Sequence, residues 1–333
     1  MNHQRGTWAT CCVVWLVGLG GVFAAGAGWA EEADPATAPV RRYEFGLVLQ
    51  AQGGSFRNVC GTVTVPVDWP GQQRVRVVKE DLPAGVTVAY KKIEEVGRQM
   101  LVRFPVLRAG EEARAVVTFD VERLPPVPMP QDTQRFSVPD RSRQTAPYLS
   151  PSPRIESNHP EVLKAAKEAL GDRQGVWEQV RAIHEWVYRS VRFSGEFENT
   201  QGVVETLACR RGVCAEKNSL AVAMLRAIGI PARLVRIPGH CYYEVCLRDG
   251  EGQTHWFSGD ASAEARIVPD GGARGLILQK GDSVPVIDPS TKKRSQGRFL
   301  GETVTGLPQA RGVELKTRFI SPAVDAKPVV PKP

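Results

Sequence analysis

Three stretches of the chain decide its fold: RGVCAEKNSLAVAMLRAIGIPARLV at 211–235, GHCYYEV at 239–245 and HWFSGD at 255–260. They contain a cysteine, a histidine and an aspartate in that order, at Cys214, His240 and Asp260. A thiol enzyme that transfers acyl groups needs these residue types, because the thiol attacks, the imidazole moves the proton and the carboxylate orients the imidazole. The segment therefore makes these three residues the candidate catalytic set.

Cys214 is predicted to lie in or just before the first turn of a helix. Leu220 and Met224 repeat at helical spacing after it, and Gly229 with Pro231 ends the helix. A cysteine in the first turn faces unpaired backbone N–H groups and the positive end of the helix dipole, and both lower the pKa of a thiol. The local pattern thus predicts a reactive thiolate.

Three strands are predicted after this helix, over 232–237, 240–246 and 256–260. If the last two pair in antiparallel fashion, His240 and Asp260 face each other. The carboxylate then orients the imidazole and stabilises its charged form.

These motifs resemble the transglutaminase-like superfamily of papain-type thiol enzymes. The resemblance covers roughly residues 158–262. It rests on four motifs: Gly-x-Cys at 212–214, Arg-Ala-x-Gly-Ile-Pro-Ala-Arg at 226–233, His-x-x-x-Glu-Val at 240–245 and Trp-x-x-x-Asp at 256–260.

The resemblance implies that Cys214 is the nucleophile, His240 the general base and acid, and Asp260 the orienting residue. Two positions depart from the family pattern. Tyr242 stands where the family usually has Trp, and Ala-Ser follows Asp260 where the family commonly has Pro-Thr. The backbone N–H of Cys214 is a candidate oxyanion donor, and the sequence names no second donor.

No cofactor and no metal are predicted. Cys209 lies five residues before Cys214, and Cys241 lies five before Cys246, without a CxxC, HxxxH or HExxH motif. There is no phosphate-binding loop, and the glycine-rich run at 18–21 lies in the leader. The cysteines and histidines are therefore attributed to thiol chemistry.

The first 30 residues are predicted to be a secretory signal peptide. Arg5 precedes an uncharged apolar run, and small residues come before Glu31. An uncleaved membrane anchor is the alternative. The mature protein is expected to be exported, to the periplasm or outside the cell, and to meet a membrane only if this segment is retained.

The net charge and the cysteine content indicate which classes of partner and how many disulfides to expect. The chain has 43 Lys and Arg against 36 Asp and Glu, a net charge of +7. The charge is scattered, which predicts a solvated surface, and no nucleic-acid partner is expected. Five cysteines follow the leader, a number that suits one reactive thiol plus two disulfides. The pairing of the other four stays open: Cys60, Cys209, Cys241 and Cys246.

The chain is predicted to comprise five segments. Alternating apolar residues and turn signals indicate an all-β, immunoglobulin-like sandwich, and clustered prolines indicate an extended linker after it. A capping box of Asn158 and Glu161 opens the helical region. The segments are the signal peptide 1–30, the sandwich 40–124, the linker 125–154, the catalytic domain 155–305 and a loose C-terminal tail 306–333.

The predicted fold class is α+β, with a papain-like, transglutaminase-like core behind the immunoglobulin-like sandwich. The predicted function is an exported cysteine peptidase, amidase or protein-glutamine acyltransferase that acts on peptide or carboxamide bonds through a thioester. Hydrolysis is favoured over cross-linking, because no motif demonstrates a closed tunnel that excludes water. The partner is a protein or peptide substrate, with cell-envelope material as an option. The alternative is a non-catalytic envelope binding or scaffold protein on the same fold.

Overall fold

The structure, a computed structural model, describes five stretches of the chain. They are residues 40–125, 133–195, 201–263, 275–287 and 293–322. The signal peptide predicted at 1–30 lies outside them. Within these stretches, no helix is both long and apolar enough to cross a membrane.

Alternating apolar residues build the first strands of the described chain. In β1 (Val40–Gln52), the side chains of Phe45, Leu47 and Leu49 are fully buried. Because alternate residues of a strand point to the same face, these three form one apolar surface. The strands that follow are β2 (Phe56–Val65), β3 (Gln73–Asp81), β4 (Thr87–Ile93), β5 (Gly97–Leu107) and β6 (Glu112–Arg123).

Helices dominate the middle of the chain. They are α1 (Pro160–Leu170), α2 (Val176–Ser190), α3 (Val203–Cys209) and α4 (Cys214–Ala227). Every residue of α4 from Ala215 to Arg226 is buried, because the other helices cover one side of it and a sheet covers the other. A helix enclosed in this way holds its first residue in a fixed position.

The other strands of the described chain range from two to nine residues in length. β7 (Arg192–Phe193) and β8 (Arg211–Gly212) form a parallel pair that leads into α4. The others are β9 (Ala232–Ile237), β10 (His240–Arg248), β11 (Thr254–Gly259), β12 (Gln279–Lys280), β13 (Val284–Ile287), β14 (Arg294–Gly297), β15 (Thr303–Pro308) and β16 (Glu314–Ile320).

Two main sheets organise these strands. The smaller has the order β16-β1-β6-β3, and the larger has the order β11-β10-β9-β12-β5-β2-β15, with β4 beside β5. The apolar faces of β1 and β6 share one core with β2 and β5. The four helices share a second core with β9, β10 and β11. The described residues therefore form a mixed α/β fold with two cores, called here the sandwich core and the helical core.

The strand β12 joins the two halves of the larger sheet. Gln279 pairs with Arg236 of β9 on one side and with Gly97 of β5 on the other. Gly97 permits this junction, because a Cβ at that position would lie 2.8 Å from the backbone oxygen of Leu278. The helical core and the sandwich core are thus covered by parts of one continuous sheet.

Several predicted elements are found where the sequence places them, and one predicted cap is wrong. α4 begins at Cys214, and β9 spans the predicted residues 232–237. The predicted capping box at Asn158 does not form: His159 caps α1, and its Nδ1 accepts the backbone N–H of Glu161 at 3.3 Å. The strand β3 is not among the predicted elements: its alternation of Arg74-Val75-Arg76-Val77 is short and stops at Val78, and most of its residues are exposed.

The prediction of a loose tail from 306 is wrong for the described residues up to 322. β16 pairs with β1, from Glu314 opposite Gln52 to Ile320 opposite Gly46. Leu315 of β16 packs against the sandwich core. The partner strand lies at the other end of the chain, so no local pattern reveals this pairing.

The linker predicted over 125–154 is not extended where the structure describes it. Phe136 is buried against Trp177 and Phe257, with ring centroids 5.7 and 5.1 Å away. Aromatic residues between the prolines therefore attach the segment to the helical core. The immunoglobulin-like topology and the five segment boundaries stay predictions.

Candidate active site

Cys214 is the first residue of α4. The N–H of Val213, the residue before it, donates to Oε2 of Glu216 at 3.2 Å. Gly212 is required next to this contact, because a Cβ there would lie 2.5 Å from the Cβ of Glu216. The tight entry holds Cys214 at the helix N-terminus, where the helix dipole stabilises a thiolate.

His240 and Asp260 come from neighbouring antiparallel strands. His240 is the first residue of β10, and Asp260 follows the last residue of β11. The Nε2 atom of His240 lies 2.8 Å from Oδ2 of Asp260. Gly259 permits this arrangement, because the ring of Tyr243 lies 2.3 Å from the place where a Cβ would stand.

The structure brings the three predicted site residues together. The thiol of Cys214 and the imidazole of His240 lie close enough for each to shift the pKa of the other. Because Nε2 of His240 is bonded to Asp260, Nδ1 is the ring nitrogen that remains for the thiol. A continuous chain of contacts therefore links thiol, imidazole and carboxylate.

The surroundings of Cys214 favour its thiolate. The largest influence is a hydrogen bond with the thiol of Cys241, which lowers the pKa of Cys214. Burial opposes this, and the hydrogen bond and charge of His240 lower the pKa further, to about 4. The pKa of Cys241 is raised well above its ordinary value, first by the same hydrogen bond and then by burial. Cys214 therefore holds the negative charge and Cys241 keeps its proton.

The same contacts favour the charged form of His240. Burial lowers the pKa of His240, but the hydrogen bonds and charges of Asp260 and Cys214 outweigh burial and raise it to about 10. Burial also acts to raise the pKa of Asp260, while His240, Ser262 and Asn218 together hold it below its usual range. The site is thus a thiolate–imidazolium pair beside an ionised carboxylate.

Asn218 ties the three elements of the site together. Its Nδ2 lies 2.9 Å from the backbone oxygen of Cys214, 3.0 Å from that of Cys241 and 3.1 Å from Oδ1 of Asp260. Its Oδ1 accepts the backbone N–H of Ala261 at 2.9 Å. One fully buried amide therefore sets the positions of α4, β10 and the end of β11.

A buried polar pair lies next to the candidate site. Nδ1 of His184 lies 3.0 Å from the hydroxyl of Tyr243, the ring that packs beside Gly259. Burial is the main influence on His184 and lowers its pKa to about 4, so this imidazole is neutral at neutral pH. His184 therefore positions Tyr243 and does not share the proton chemistry of His240.

Sequence reasoning missed Asn218 and Cys241 as members of the site. A signal existed for Asn218, which lies four residues after Cys214 and hence on the same side of the helix. No such signal existed for Cys241, since a cysteine beside a histidine is ordinary in a buried strand.

All five cysteines in the described residues are free thiols. Those residues also hold no group of three or more His, Cys, Asp or Glu placed to bind a metal ion.

Comparison with known proteins agrees with the resemblance. A family model described as the transglutaminase-like superfamily matches residues 164–261, a range that contains Cys214, His240 and Asp260. No curated protein matches the chain. Residues 164–261 therefore form a transglutaminase-like domain, as the sequence motifs predict.

Two solved structures resemble the chain to different degrees, and the first of them has a similar fold. One is a candidate cysteine protease from Cytophaga hutchinsonii, with a TM-score of 0.53 and 19% identity over 88% of this chain and 94% of that one. Another is the periplasmic domain of TgpA from Pseudomonas aeruginosa, bound to ethylmercury, with a TM-score of 0.30 and 13% identity over 68% and 91%. The first likeness extends across both cores of this chain.

Proposed function

We propose, from a transglutaminase-like domain that holds Cys214, His240 and Asp260 in one chain of contacts, that this protein is an exported thiol acyl-transfer enzyme. Cys214 is the nucleophile, His240 the general acid and base, and Asp260 the residue that orients the imidazole. The observation that supports this most is the 2.8 Å contact between His240 and Asp260, with the thiol of Cys214 near enough to His240 for the imidazole to lower its pKa.

The reaction begins with the ion pair already formed. The thiolate of Cys214 adds to the carbonyl carbon of a peptide or carboxamide bond. When the C–N bond breaks, His240 gives its Nδ1 proton to the departing amine, and a thioester with a neutral imidazole remains. Water then attacks the thioester carbon and gives its proton to His240. The C–S bond breaks, the acid leaves, and the thiolate–imidazolium pair is restored.

Asp260 acts through His240 and not on the substrate. Its carboxylate accepts the Nε2 proton, which fixes the ring so that Nδ1 faces the sulfur, and its negative charge stabilises the imidazolium. Cys241 and Asn218 are positioning residues. The first donates to the thiolate, and the second holds the backbone on which both cysteines lie.

Hydrolysis is the favoured outcome. The side chain of His240 is 29% exposed, so water reaches the base that would activate it. A primary amine that enters at the same point would give cross-linking by the same thioester. The sandwich, proposed to be immunoglobulin-like, contributes no residue to the Cys214 site and serves as a binding or spacing module.

The test is to capture the acyl-enzyme and its products. The purified protein is incubated with peptides derived from envelope proteins, with and without a primary amine, and both enzyme and peptides are weighed by mass spectrometry. Cleavage gives two fragments whose masses sum to that of the peptide plus water, deamidation exchanges ammonia for water, and cross-linking exchanges ammonia for the amine. We expect cleaved or deamidated peptides and a thioester on Cys214.

Two variants make this test decisive. Cys214→Ala removes the nucleophile, and we expect turnover to fall roughly ten-thousandfold or more. Cys209→Ala is the matched control, because that thiol is exposed on α3 away from the contact chain. If Cys214→Ala retains the turnover of the parent, Cys214 is not the nucleophile and the proposal is wrong.

A further inference from the structure

A second polar cavity lies on the other face of the large sheet from α4. On β10, Tyr243 and Val245 face the helical core, so the alternate residues Tyr242 and Glu244 point the opposite way. The cavity on that opposite side has a volume of about 380 Å³. Its walls come from both halves of the chain. The lining residues include Trp69, Gln72, Tyr148, Arg233, Trp256 and Lys280.

The cavity contains more positive than negative buried charge. Arg233 donates to Oε2 of Glu244 at 2.7 Å, and Nζ of Lys280 lies 2.8 Å from Oε1 of the same carboxylate. Glu244 is fully buried, and the Lys280 side chain is 3% exposed. Two buried cations thus share one buried carboxylate. Because an uncompensated buried charge is costly, the arrangement favours the arrival of an anion.

Lys280 has donor capacity left for that anion. Its ammonium carries three N–H donors, and Glu244 and Oε1 of Gln72 accept from it. Burial lowers the pKa of Lys280 to about 8, Glu244 opposes this, and the charge of Arg233 adds to it. The ammonium is therefore charged at neutral pH and would be stabilised by a second carboxylate. The one carboxylate on the cavity wall, Glu95, is exposed to solvent and screened by it.

Aromatic rings form the remaining walls. The guanidinium of Arg233 lies 3.8 Å from the ring centroid of Trp256, and Nζ of Lys280 lies 5.4 Å from that of Trp69. Tyr148 meets Trp256 edge-on at 5.2 Å. The indole N–H of Trp69 is buried, and no described residue accepts it. The cavity thus offers flat apolar surfaces beside the two cations.

We propose that this cavity binds a ligand with one carboxylate and a flat apolar group, such as the C-terminal residue of a peptide. The carboxylate would accept from Lys280, and the apolar group would pack on the tryptophan rings. A cavity of this volume is at the small end of ligand sites, which suits one residue or a small organic acid. The two buried cations exceed the charge of Glu244 by one positive charge, which suits a ligand with a single negative charge.

The proposal does not depend on the function of Cys214. The cavity and the thiol lie on opposite faces of the sheet, so a ligand can occupy one without the other. Binding should therefore be the same in the parent and in Cys214→Ala.

The test is a titration of the full chain with a matched pair of probes. N-acetyl-phenylalanine carries the carboxylate, and N-acetyl-phenylalaninamide differs only in lacking the charge. Binding is followed by calorimetry and by tryptophan fluorescence, because Trp69 and Trp256 line the cavity. We expect the acid to bind about tenfold or more tightly than the amide, since a hydrogen bond to a charged group contributes that much. A third probe, 3-phenylpropionate, lacks the amide: equal binding identifies an organic acid, and weaker binding identifies a peptide end.

Variants locate the binding. Lys280→Gln and Trp69→Leu should each weaken binding of the acid about tenfold or more. Lys79→Gln, on an exposed strand of the sandwich, is the matched control and should bind like the parent. Trp69→Leu keeps every charge, so it remains informative if Lys280→Gln unfolds because Glu244 has lost a partner.

Three results would overturn the proposal. The first is equal binding of acid and amide to the parent, which needs no variant. The second is no binding of either probe at millimolar concentration. The third is unchanged binding in folded Lys280→Gln or folded Trp69→Leu protein.

Discussion

The two cores of this protein differ in how many buried polar residues they contain. In the sandwich, the buried polar residues among those described are few: Thr64, Gln73 and Asp120. Around the helical core they are many: His184, Thr206, Glu216, Lys217, Asn218, Ser219, Arg226 and Asp260. Buried polar groups cost free energy unless they are paired, so a core rich in them is positioned for chemistry more than for stability.

The two cores have different roles, although parts of one sheet cover both of them. The sandwich core excludes water with Phe45, Phe104 and Phe119, which are almost completely buried. The helical core uses Asn218 to hold backbone groups of two strands and a helix around the thiol. Substitutions in the first core should change the free energy of unfolding, and substitutions in the second should change the reactivity of Cys214.

The largest expected effect on stability is in the sandwich. Phe119→Ala should lower the free energy of unfolding by ~3–5 kcal/mol, because it opens a cavity in a closely packed apolar core. Chemical denaturation measures this loss. At temperatures where the variant is folded, the pH dependence of Cys214 alkylation should match the parent. A changed alkylation profile would show that the sandwich core helps to set the thiol pKa.

A smaller effect is expected from separating the cores. A fragment from 153 to 306 lacks most of the sandwich, and it would leave Leu276 and Leu278 without the core in which they are buried. It would also remove Gly97, the partner of Gln279. We expect the fragment to fold with lower stability than the full chain, as measured by thermal unfolding. Equal stability would show that the shared sheet contributes little and that the cores are independent domains.

The smallest expected effect concerns two side chains that act on the thiol pKa in different ways. Cys241→Ala removes the hydrogen bond that contributes most to lowering the pKa of Cys214, so the pKa should rise. Asp260→Asn should raise it less, because the carboxylate acts on the sulfur only through His240. Alkylation followed across pH by mass spectrometry gives both values. If Cys241→Ala reacts like the parent, the second thiol has no part in activating the first.

The sequence predicts the local elements around the candidate site better than it predicts the sheets. The helix at Cys214 and the strands beginning at Ala232 and His240 follow from local periodicity, which a single segment contains in full. The pairing of β16 with β1 and the junction at Gly97 join distant parts of the chain, so no local pattern encodes them.

The same distinction holds within the candidate site. Cys214, His240 and Asp260 are identified by their residue types and order. Asn218 and Cys241 matter because of where the fold places them, and Asn218 and Cys241 are 23 residues apart in the chain. Positioning residues of this kind become evident only from tertiary structure.

The pH dependence of Cys214 alkylation tests the thiolate–imidazolium pair most directly. Iodoacetamide reacts with the thiolate, whose pKa in an ordinary cysteine is about 8.5. Because the pKa of Cys214 is lowered to about 4, its alkylation should stay fast at pH 6 and fall only as the pH approaches 4. Mass spectrometry separates this modification from that of Cys209, the exposed thiol that serves as internal reference. In His240→Ala the profile of Cys214 should move to higher pH, since the imidazolium is gone. Identical profiles in the parent and in His240→Ala would contradict the ion pair and, with it, the proposed enzyme.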